Sequence, residues 1–222
     1  MYIGRIMHTD LITVAPETTL VEARKIIEDK SIDHLLVVDK NKKLVGLLSD
    51  RDLKQYWASP ATSLSTHELN YLLEKVLVSM VMVKTVVTIP TSTTIERAAL
   101  IMQQNRISSL PVMENDELVG IITSTDVMGV LLDAIGISDN SIRLSVFVDD
   151  TIGKLAELTE TLSQAGINIQ SLFCWPEKNH TDITQLLLRV ASDDGPKAIE
   201  ALTNKGFKVK NKYEKDITPF LP

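Results

Sequence analysis

Cysteine is nearly absent from this sequence, with Cys174 the only one among 222 residues. A single thiol excludes an internal disulfide and any structural zinc site built from cysteine pairs. The four histidines, His8, His34, His67 and His180, are scattered and include no pair at metal-ligand spacing. We therefore expect no bound metal, and a reducing, cytoplasmic compartment.

Long apolar runs and dense clusters of basic residues are missing as well. No uninterrupted apolar segment approaches the ~20 residues of a membrane span, and the N-terminus does not resemble a signal peptide. The net charge is −6, and Lys and Arg are dispersed along the chain. Since nucleic-acid sites need a dense cationic surface, we expect a soluble protein that binds neither membranes nor nucleic acid.

Catalytic motifs are equally scarce. The sequence contains no Walker-type loop, no Gly-rich dinucleotide loop and no evident constellation of nucleophile and base. This favours a non-enzymatic binding protein with no catalytic residues and no required cofactor. An enzyme of small-molecule metabolism remains the less favoured alternative.

One segment of the chain occurs twice. Residues 46–53 (GLLSDRDL) are echoed by residues 120–127 (GIITSTDV), and both read glycine, two branched apolar residues, a hydroxyl, two variable positions, an aspartate and an apolar residue. Upstream, residues 18–23 resemble 93–98, and residues 32–38 resemble 107–113. Self-similarity at a fixed spacing indicates a duplicated structural unit.

Each copy is predicted to run strand, helix, strand, strand, helix. Capping boxes, Thr19 with Glu22 and Thr93 with Glu96, mark the first helix of each copy. The apolar spacing predicts one buried helix face in each copy, made of Leu20, Ala23 and Ile27 and of Ile95, Ala98, Ala99 and Met102. Residues 35–38 and 44–48 read as a hairpin. Between the copies, residues 59–63 break structure, and one elongated helix is predicted from Ser65 with a packed face of Leu69, Leu72, Leu73 and Val76.

A polar junction at residues 134–141 is typical of a domain boundary. Beyond it, apolar periodicity predicts the order βαββαβ, a ferredoxin-like sandwich of two helices on an antiparallel sheet. The fold class is therefore α+β. The predicted segments are 1–58 (first module), 59–79 (linker helix), 80–134 (second module), 141–212 (C-terminal domain) and 213–222 (tail).

The repeated hydroxyl and aspartate are the best candidates for binding chemistry. A carboxylate accepts hydrogen bonds from ribose hydroxyls, and a hydroxyl at a helix start holds phosphate, so Ser49 with Asp52 and Thr123 with Asp126 suit a nucleotide. The alternative is that they only cap the following helices, but helix capping does not require the aspartate in both copies. Arg51 stands where the second copy has Thr125, and it is either a phosphate ligand or a solvated surface charge.

These motifs resemble a tandem pair of CBS domains, regulatory modules named after cystathionine β-synthase, over about residues 1–132. Residues 141–212 resemble an ACT domain, although Ile152 replaces the usual proline of its acidic turn. The combination resembles the bacterial acetoin-utilisation (AcuB-like) regulatory proteins. The resemblance implies a non-enzymatic regulator that senses AMP, ADP or ATP between the modules and relays the state to a partner or a metabolic target, with a link to acetoin or acetyl-CoA metabolism.

The resemblance also implies the site residues. The nucleotide-binding set is Val14, Ala15, His34, Leu35, Ser49, Arg51, Asp52, Thr88, Ile89, Ser109, Leu110, Pro111, Thr123 and Asp126. The family proline is present as Pro111 but replaced by Leu36 in the first copy. An amino-acid ligand of the ACT domain would lie at Asp150, Ile152, Gly153 and Asn168, with the acidic turn facing Asn168. A homodimer through the CBS and ACT domains is expected. The alternatives are an assembly module without nucleotide sensing and an amino-acid or cyclic-dinucleotide sensor.

Overall fold

The computed structural model describes residues 1–56 and 66–222. These residues form two compact units, Met1–Met128 and Gly129–Pro222. The predicted break at residues 59–63, the predicted helix start at Ser65 and the side chain of Leu69 lie outside the described residues.

The first repeat folds in the predicted order of elements. It contains β1 (Thr13–Val14), α1 (Leu20–Lys30), β2 (His34–Val38), β3 (Leu44–Ser49) and α2 (Asp50–Tyr56). In its sheet, β1 is parallel to β2 and β2 is antiparallel to β3. Thr19 forms the predicted reciprocal capping box with Glu22, and the predicted face of α1 is buried. Capping and periodicity together were therefore enough to place this helix.

The second repeat has the same topology. It is preceded by α3 (Thr66–Leu73) and α4 (Val78–Val81), and it contains β4 (Ile89–Pro90), α5 (Ile95–Asn105), β5 (Ser109–Glu114), β6 (Glu117–Thr123) and α6 (Ser124–Ile135). The predicted capping box of Thr93 with Glu96 is wrong by one residue. The N-cap is Thr94, whose hydroxyl accepts a hydrogen bond from the Arg97 amide at 3.3 Å. Because an arginine follows three positions later, the reciprocal carboxylate bond of a capping box is missing.

From residue 66 onward, the described part of the linker region contains two helices where the sequence predicted one. Helix α3 (Thr66–Leu73) ends before an extended residue, Leu77, which precedes the short helix α4 (Val78–Val81). Leu73 is buried in the core of the first repeat, whereas Leu72 is 48% exposed, so its placement on the packed face was wrong. The packed apolar face thus includes Leu73 and Val76 but not Leu72.

The segments that precede each repeat are exchanged between the two repeats. Residues 1–8 pair with the second repeat, and residues 76–83 pair with the first. Equivalent backbone hydrogen bonds hold the two segments: Ile3 to Thr93 (2.8 Å) and Gly4 to Thr91 (2.9 Å), Val78 to Thr18 (2.8 Å) and Ser79 to Pro16 (2.9 Å). Ile3 and Val78 are both fully buried. Each repeat therefore completes its core with the segment that precedes the other repeat in the sequence.

The glycine that opens each repeated motif makes this exchange possible. A Cβ on Gly46 would lie 2.3 Å from the sulfur of Met82, and a Cβ on Gly120 would lie 2.3 Å from the sulfur of Met7. Real Cβ atoms essentially never approach a heavy atom so closely. Both glycines are thus required by the methionine of the exchanged segment rather than by an unusual backbone conformation.

The second unit has the predicted βαββαβ order. It contains β7 (Ser141–Asp149), α7 (Lys154–Gln164), β8 (Ile169–Pro176), β9 (Ile183–Ala191), α8 (Gly195–Asn204) and β10 (Val209–Lys210). The sheet order is β10-β7-β9-β8 with every neighbouring pair antiparallel. Its core joins alternate residues of β7 and β9 to the inner faces of α7 and α8. The topology is ferredoxin-like, as the periodicity indicated.

Candidate functional site

A cavity of about 500 Å³ opens within the first unit, where strands of both repeats give way to helices. The ends of β3 and β6 and the starts of β2, β5, α2 and α6 contribute to its wall. A volume of a few hundred cubic ångströms suits a small organic ligand. The cavity therefore lies where the repeated motif predicted a site, and both copies contribute to it.

Asp52 is held in a fixed orientation at the start of α2. Its Oδ2 accepts hydrogen bonds from the backbone amide of Ser49 at 2.9 Å and from the Ser49 hydroxyl at 2.6 Å. In return, the Asp52 amide donates to the Ser49 hydroxyl at 3.2 Å. Among the described residues, no partner is found for the second oxygen, Oδ1. One carboxylate oxygen thus fixes the side chain and the other is left to accept hydrogen bonds from a ligand.

Asp126 repeats this arrangement at the start of α6 with one addition. Its Oδ2 accepts from the Thr123 amide at 2.8 Å and from the Thr123 hydroxyl at 2.7 Å. The His8 Nε2 donates to the other oxygen, Oδ1, at 2.9 Å. Burial by itself would raise the pKa of Asp126, but the hydrogen bonds from Thr123 and His8 outweigh it and lower the pKa below its ordinary value. Both oxygens of Asp126 are therefore occupied and the group is a carboxylate at neutral pH.

Two buried polar atoms at the cavity lack a hydrogen-bond partner among the described residues. They are the Nδ1 of His34 and the hydroxyl of Ser109, which stand at equivalent positions, the first residues of β2 and β5. Ser109 is 1% exposed. Buried polar groups are nearly always satisfied, so unpaired atoms beside a cavity indicate that a ligand or water completes them.

His34 is neutral in this environment. Burial lowers its pKa below the ordinary value, although the nearby Asp33 and Asp52 oppose the effect. Its Nε2 shares a hydrogen bond with the Ser108 hydroxyl at 2.9 Å, a contact that joins the two repeats. A neutral imidazole has one donor and one acceptor nitrogen. Nδ1 is therefore an acceptor if Nε2 donates to Ser108, and a donor if Nε2 accepts from it.

Positive charge reaches the cavity from both repeats. Arg51, near the start of α2, and Arg106, the residue after α5, both contribute to the wall. Neither forms an ion pair with a described residue, whereas Lys54 is paired with Asp50 within α2. Arg106 has the left-handed conformation (φ 56°), which an arginine adopts at some energetic cost. Two uncompensated guanidinium groups are thus available to an anionic ligand.

The predicted nucleotide-binding residues divide into two groups. Six contribute to the cavity wall: His34, Ser49, Arg51, Asp52, Ser109 and Thr123. Eight do not: Val14, Ala15, Leu35, Thr88, Ile89, Leu110, Pro111 and Asp126. Among these, the side chains of Leu35 and Leu110 are fully buried in the cores of their repeats. The motif residues Ser49, Asp52 and Thr123 thus reach the cavity, whereas Asp126 and the predicted aliphatic strand residues do not contribute to its wall.

Four residues that take part in the site were not predicted from the sequence. Arg106 and Ser108 lie between α5 and β5, and Val83 lies in the exchanged segment 76–83. His8 reaches Asp126 because its backbone pairs with Ile121 of β6. Only the recognition that residues 1–8 correspond to residues 76–83 and continue the repeat could have indicated that contact.

The predicted amino-acid site of the second unit is not brought together within one chain. Asp150, Ile152 and Gly153 lie beyond the end of β7, where Gly153 has φ 98° and Ile152 is fully exposed. Asn168 precedes β8, whose first residue pairs with Val190 at the opposite end of the sheet. On β9, the residue paired with the end of β7 (Ile183) and the residue paired with the start of β8 (Val190) are seven residues apart, a distance of about 24 Å. The prediction that the acidic turn faces Asn168 was wrong because β9 runs antiparallel to both β7 and β8.

Residues 1–56 and 66–222 contain neither a metal-binding cluster nor a membrane-spanning helix. No group of three carboxylate, imidazole or thiol side chains in these ranges is arranged to hold a metal ion. No helix there has the length and apolar character needed to cross a membrane.

Comparison with protein families identifies the domain family of the two repeats. The model of the CBS domain matches residues 3–59 and 78–133, together a little more than half of the chain. The chain belongs to the CBS-domain family. The two matches correspond to the two repeats, so residues 1–128 contain a CBS-domain pair whose modules share the cavity.

Known relatives match between about half and three fifths of this chain. The chain is 35% identical over 132 residues to the CBS domain-containing protein CBSCBSPB5 of Arabidopsis thaliana, covering 60% of this chain and 22% of that protein. It is 34% identical over 120 residues to inosine-5'-monophosphate dehydrogenase of Thermoplasma acidophilum, covering 54% and 21%. A shorter relative, DDB_G0289609 of Dictyostelium discoideum, is 30% identical and is covered to 90%. The chain thus spans only about a fifth of the length of the first two relatives.

Solved structures resemble the CBS pair as well. The CBS domain pair of protein MJ0100, in complex with 5′-methylthioadenosine and S-adenosyl-L-methionine, is 25% identical with a TM-score of 0.50, covering 60% of this chain and 97% of that one. A putative acetoin utilization protein (AcuB) from Vibrio cholerae is 29% identical with a TM-score of 0.51, covering 61% and 93%. Both likenesses extend over about the length of the CBS pair.

Proposed function

We propose that this protein is a regulatory CBS-domain protein that binds an adenosine ligand at Asp52 and relays its binding to a partner or a metabolic target. Asp52 carries the proposal because its carboxylate is fixed on one oxygen and open on the other at the wall of a cavity of ligand size. A ribose offers two adjacent hydroxyls, and a carboxylate is the acceptor that proteins commonly place beside them.

The rest of the cavity suits the other parts of a nucleotide. Leu47 and Val83 offer apolar surface for a purine face, and Arg51 and Arg106 offer bidentate donors for phosphate. The unpaired atoms of His34 and Ser109 offer further hydrogen bonds. Since these groups come from both modules, a ligand that contacts all of them favours one arrangement of the pair, and such differential binding is the physical requirement for regulation.

The relatives supply independent support. The related pair of protein MJ0100 was crystallised with two ligands that share an adenosyl group. Asp52 and Ser49 address the sugar common to such compounds, whereas Arg51 and Arg106 would favour AMP, ADP or ATP over uncharged adenosines. We therefore propose adenine nucleotides as the regulatory ligands, with no catalytic step and no resident cofactor.

The wider role extends the proposal. The βαββαβ topology of the second unit agrees with an ACT domain, which would serve as a homodimer interface or as the contact to a protein partner. A connection with acetoin metabolism rests on the likeness to the putative acetoin utilization protein of Vibrio cholerae. Ligand-dependent oligomerisation of the whole chain, followed by native mass spectrometry, tests this relay.

A thermal-shift panel tests the ligand class. AMP, ADP, ATP and 5′-methylthioadenosine are expected to raise the Tm of the full chain, because a ligand at a hundred times its Kd stabilises the folded state by about 2.7 kcal/mol. Asp52→Asn removes the charge with little change of shape and should abolish most of the shift. Asp29→Asn, at an exposed position on α1, is the matched control and should leave it intact.

Two results would contradict the proposal. The first is the absence of a shift with any adenine compound, and the second is a shift of undiminished size in Asp52→Asn. A response confined to cyclic dinucleotides or amino acids would instead favour the alternative sensor. Protein that is purified without any nucleotide and assembles independently of it would favour a pure assembly module.

A further inference from the structure

We infer that His8 makes the two repeated aspartate sites unequal by occupying, at Asp126, the carboxylate oxygen that a ribose needs. This inference rests on the proposed function, because it concerns where the adenosine ligand binds. An N-terminal residue outside both repeated motifs thus decides whether the ligand binds first at Asp52 or at Asp126.

The exchanged segments place His8 and Val83 at equivalent positions. The His8 amide donates to the Ile121 carbonyl at 2.9 Å and the Ile121 amide donates back at 3.0 Å. Val83 and Leu47 of β3 form the same pair of bonds, at 2.8 and 3.0 Å. Backbone hydrogen bonds therefore hold His8 beside β6, which leads to Asp126, and hold Val83 beside β3, which leads to Asp52.

The two side chains have opposite consequences for those aspartates. The imidazole of His8 donates to the Asp126 Oδ1 at 2.9 Å, which leaves this carboxylate with both oxygens engaged. Val83 has no donor, so its counterpart Asp52 keeps Oδ1 open among the described residues. The protein's own side chain thus occupies the carboxylate of Asp126, whereas Asp52 remains open at the cavity wall.

His8 restrains Asp126 without blocking it permanently. Its side chain is 61% exposed, so the imidazole can rotate into solvent without disturbing a core. An exposed pair of this kind changes an equilibrium by a small factor. An adenosine ligand should therefore bind at Asp52 first and at Asp126 more weakly, after displacing His8.

A reciprocal exchange of the two residues tests the inference. Calorimetric titration with 5′-methylthioadenosine reports on the Asp126 site in Asp52→Asn and on the Asp52 site in Asp126→Asn. Adding His8→Val to Asp52→Asn should tighten binding about two- to fivefold, because the ligand no longer competes with the imidazole. Adding Val83→His to Asp126→Asn should weaken binding by a similar factor. His180→Val, in the second unit, is the control and should change neither titration.

The outcomes separate this inference from the proposed function. Wild-type protein that does not bind methylthioadenosine or AMP overturns the proposed function and this inference with it. Wild-type binding that is lost in Asp52→Asn, with no gain on adding His8→Val, leaves the proposed function standing and overturns the role of His8. Weaker binding with His8→Val would also overturn it, because His8 would then be a ligand contact.

Discussion

Gly46→Ala tests the exchange of segments between the two modules. The added Cβ would lie 2.3 Å from the Met82 sulfur and 2.9 Å from its Cγ, so the methionine must leave its place against β3. Overpacking of this kind costs about 1–3 kcal/mol. At roughly 4 °C per kcal/mol for a unit of this size, calorimetric unfolding should show a loss of about 4–12 °C in Tm.

Gly129→Ala provides the matched control within helix α6. No heavy atom lies within 4 Å of the position a Cβ would take there. Since alanine is favoured over glycine in a helix by about 1 kcal/mol, this variant should be slightly more stable than the wild type.

A double-mutant cycle identifies the cause of the Gly46→Ala effect. Met82→Ala removes the atoms that collide with the new Cβ, so Gly46→Ala should be much less destabilising in that background. The coupling free energy should exceed about 0.5 kcal/mol, which is more than additivity allows for independent sites. Purely additive effects, or a Gly46→Ala variant as stable as Gly129→Ala, would refute the packing of residues 76–83 against the first module.

Three further predictions concern the cavity and a helix start. In calorimetric titrations, Arg51→Ala and Arg106→Ala should each weaken ATP binding about tenfold or more and leave the affinity for 5′-methylthioadenosine unchanged. The reason is that a guanidinium–phosphate contact is a charge-assisted hydrogen bond. Equal losses of affinity for both ligands would contradict a phosphate role. Because the folded state lowers the pKa of His34, the stabilisation from its neutral form is present above about pH 6.5 and declines as the pH falls below it. His34→Gln should therefore flatten the dependence of Tm on pH in that range, and an unchanged slope would contradict a buried neutral imidazole. Thr19→Ala should lower the Tm by roughly 4 °C through loss of its capping box with Glu22; an unchanged Tm would show that the box is not stabilising.

The local architecture was predictable because its signals are short-range. Capping at Thr19, the apolar spacing of α1 and the polar turn between β2 and β3 each act within a few residues. The repeated motif likewise predicted that Ser49 and Asp52 would stand where a strand gives way to a helix. In such cases the residues that decide the structure are neighbours in the sequence.

The remaining features depend on pairing between distant parts of the chain. Nothing near His8 indicates that its backbone will pair with Ile121, and the motif alone does not show that Gly120 must admit the side chain of Met7. Asn168 was misplaced for the same reason, since strand order, not sequence proximity, sets its distance from Gly153. Ser49, Asp52 and Thr123 could thus be predicted from the motif, whereas Val83 and His8 could be placed only through the exchanged segments.

The most direct test of the proposed function is a calorimetric titration of 5′-methylthioadenosine into the wild type and Asp52→Asn. This ligand has a ribose and no phosphate, so it reports on the carboxylate independently of Arg51 and Arg106. We expect Asp52→Asn to weaken the tightest binding event about ten- to a hundredfold, because the substitution removes a charged acceptor of ribose hydrogen bonds. Equal affinity in the two proteins would contradict the assignment of Asp52 as the ribose ligand.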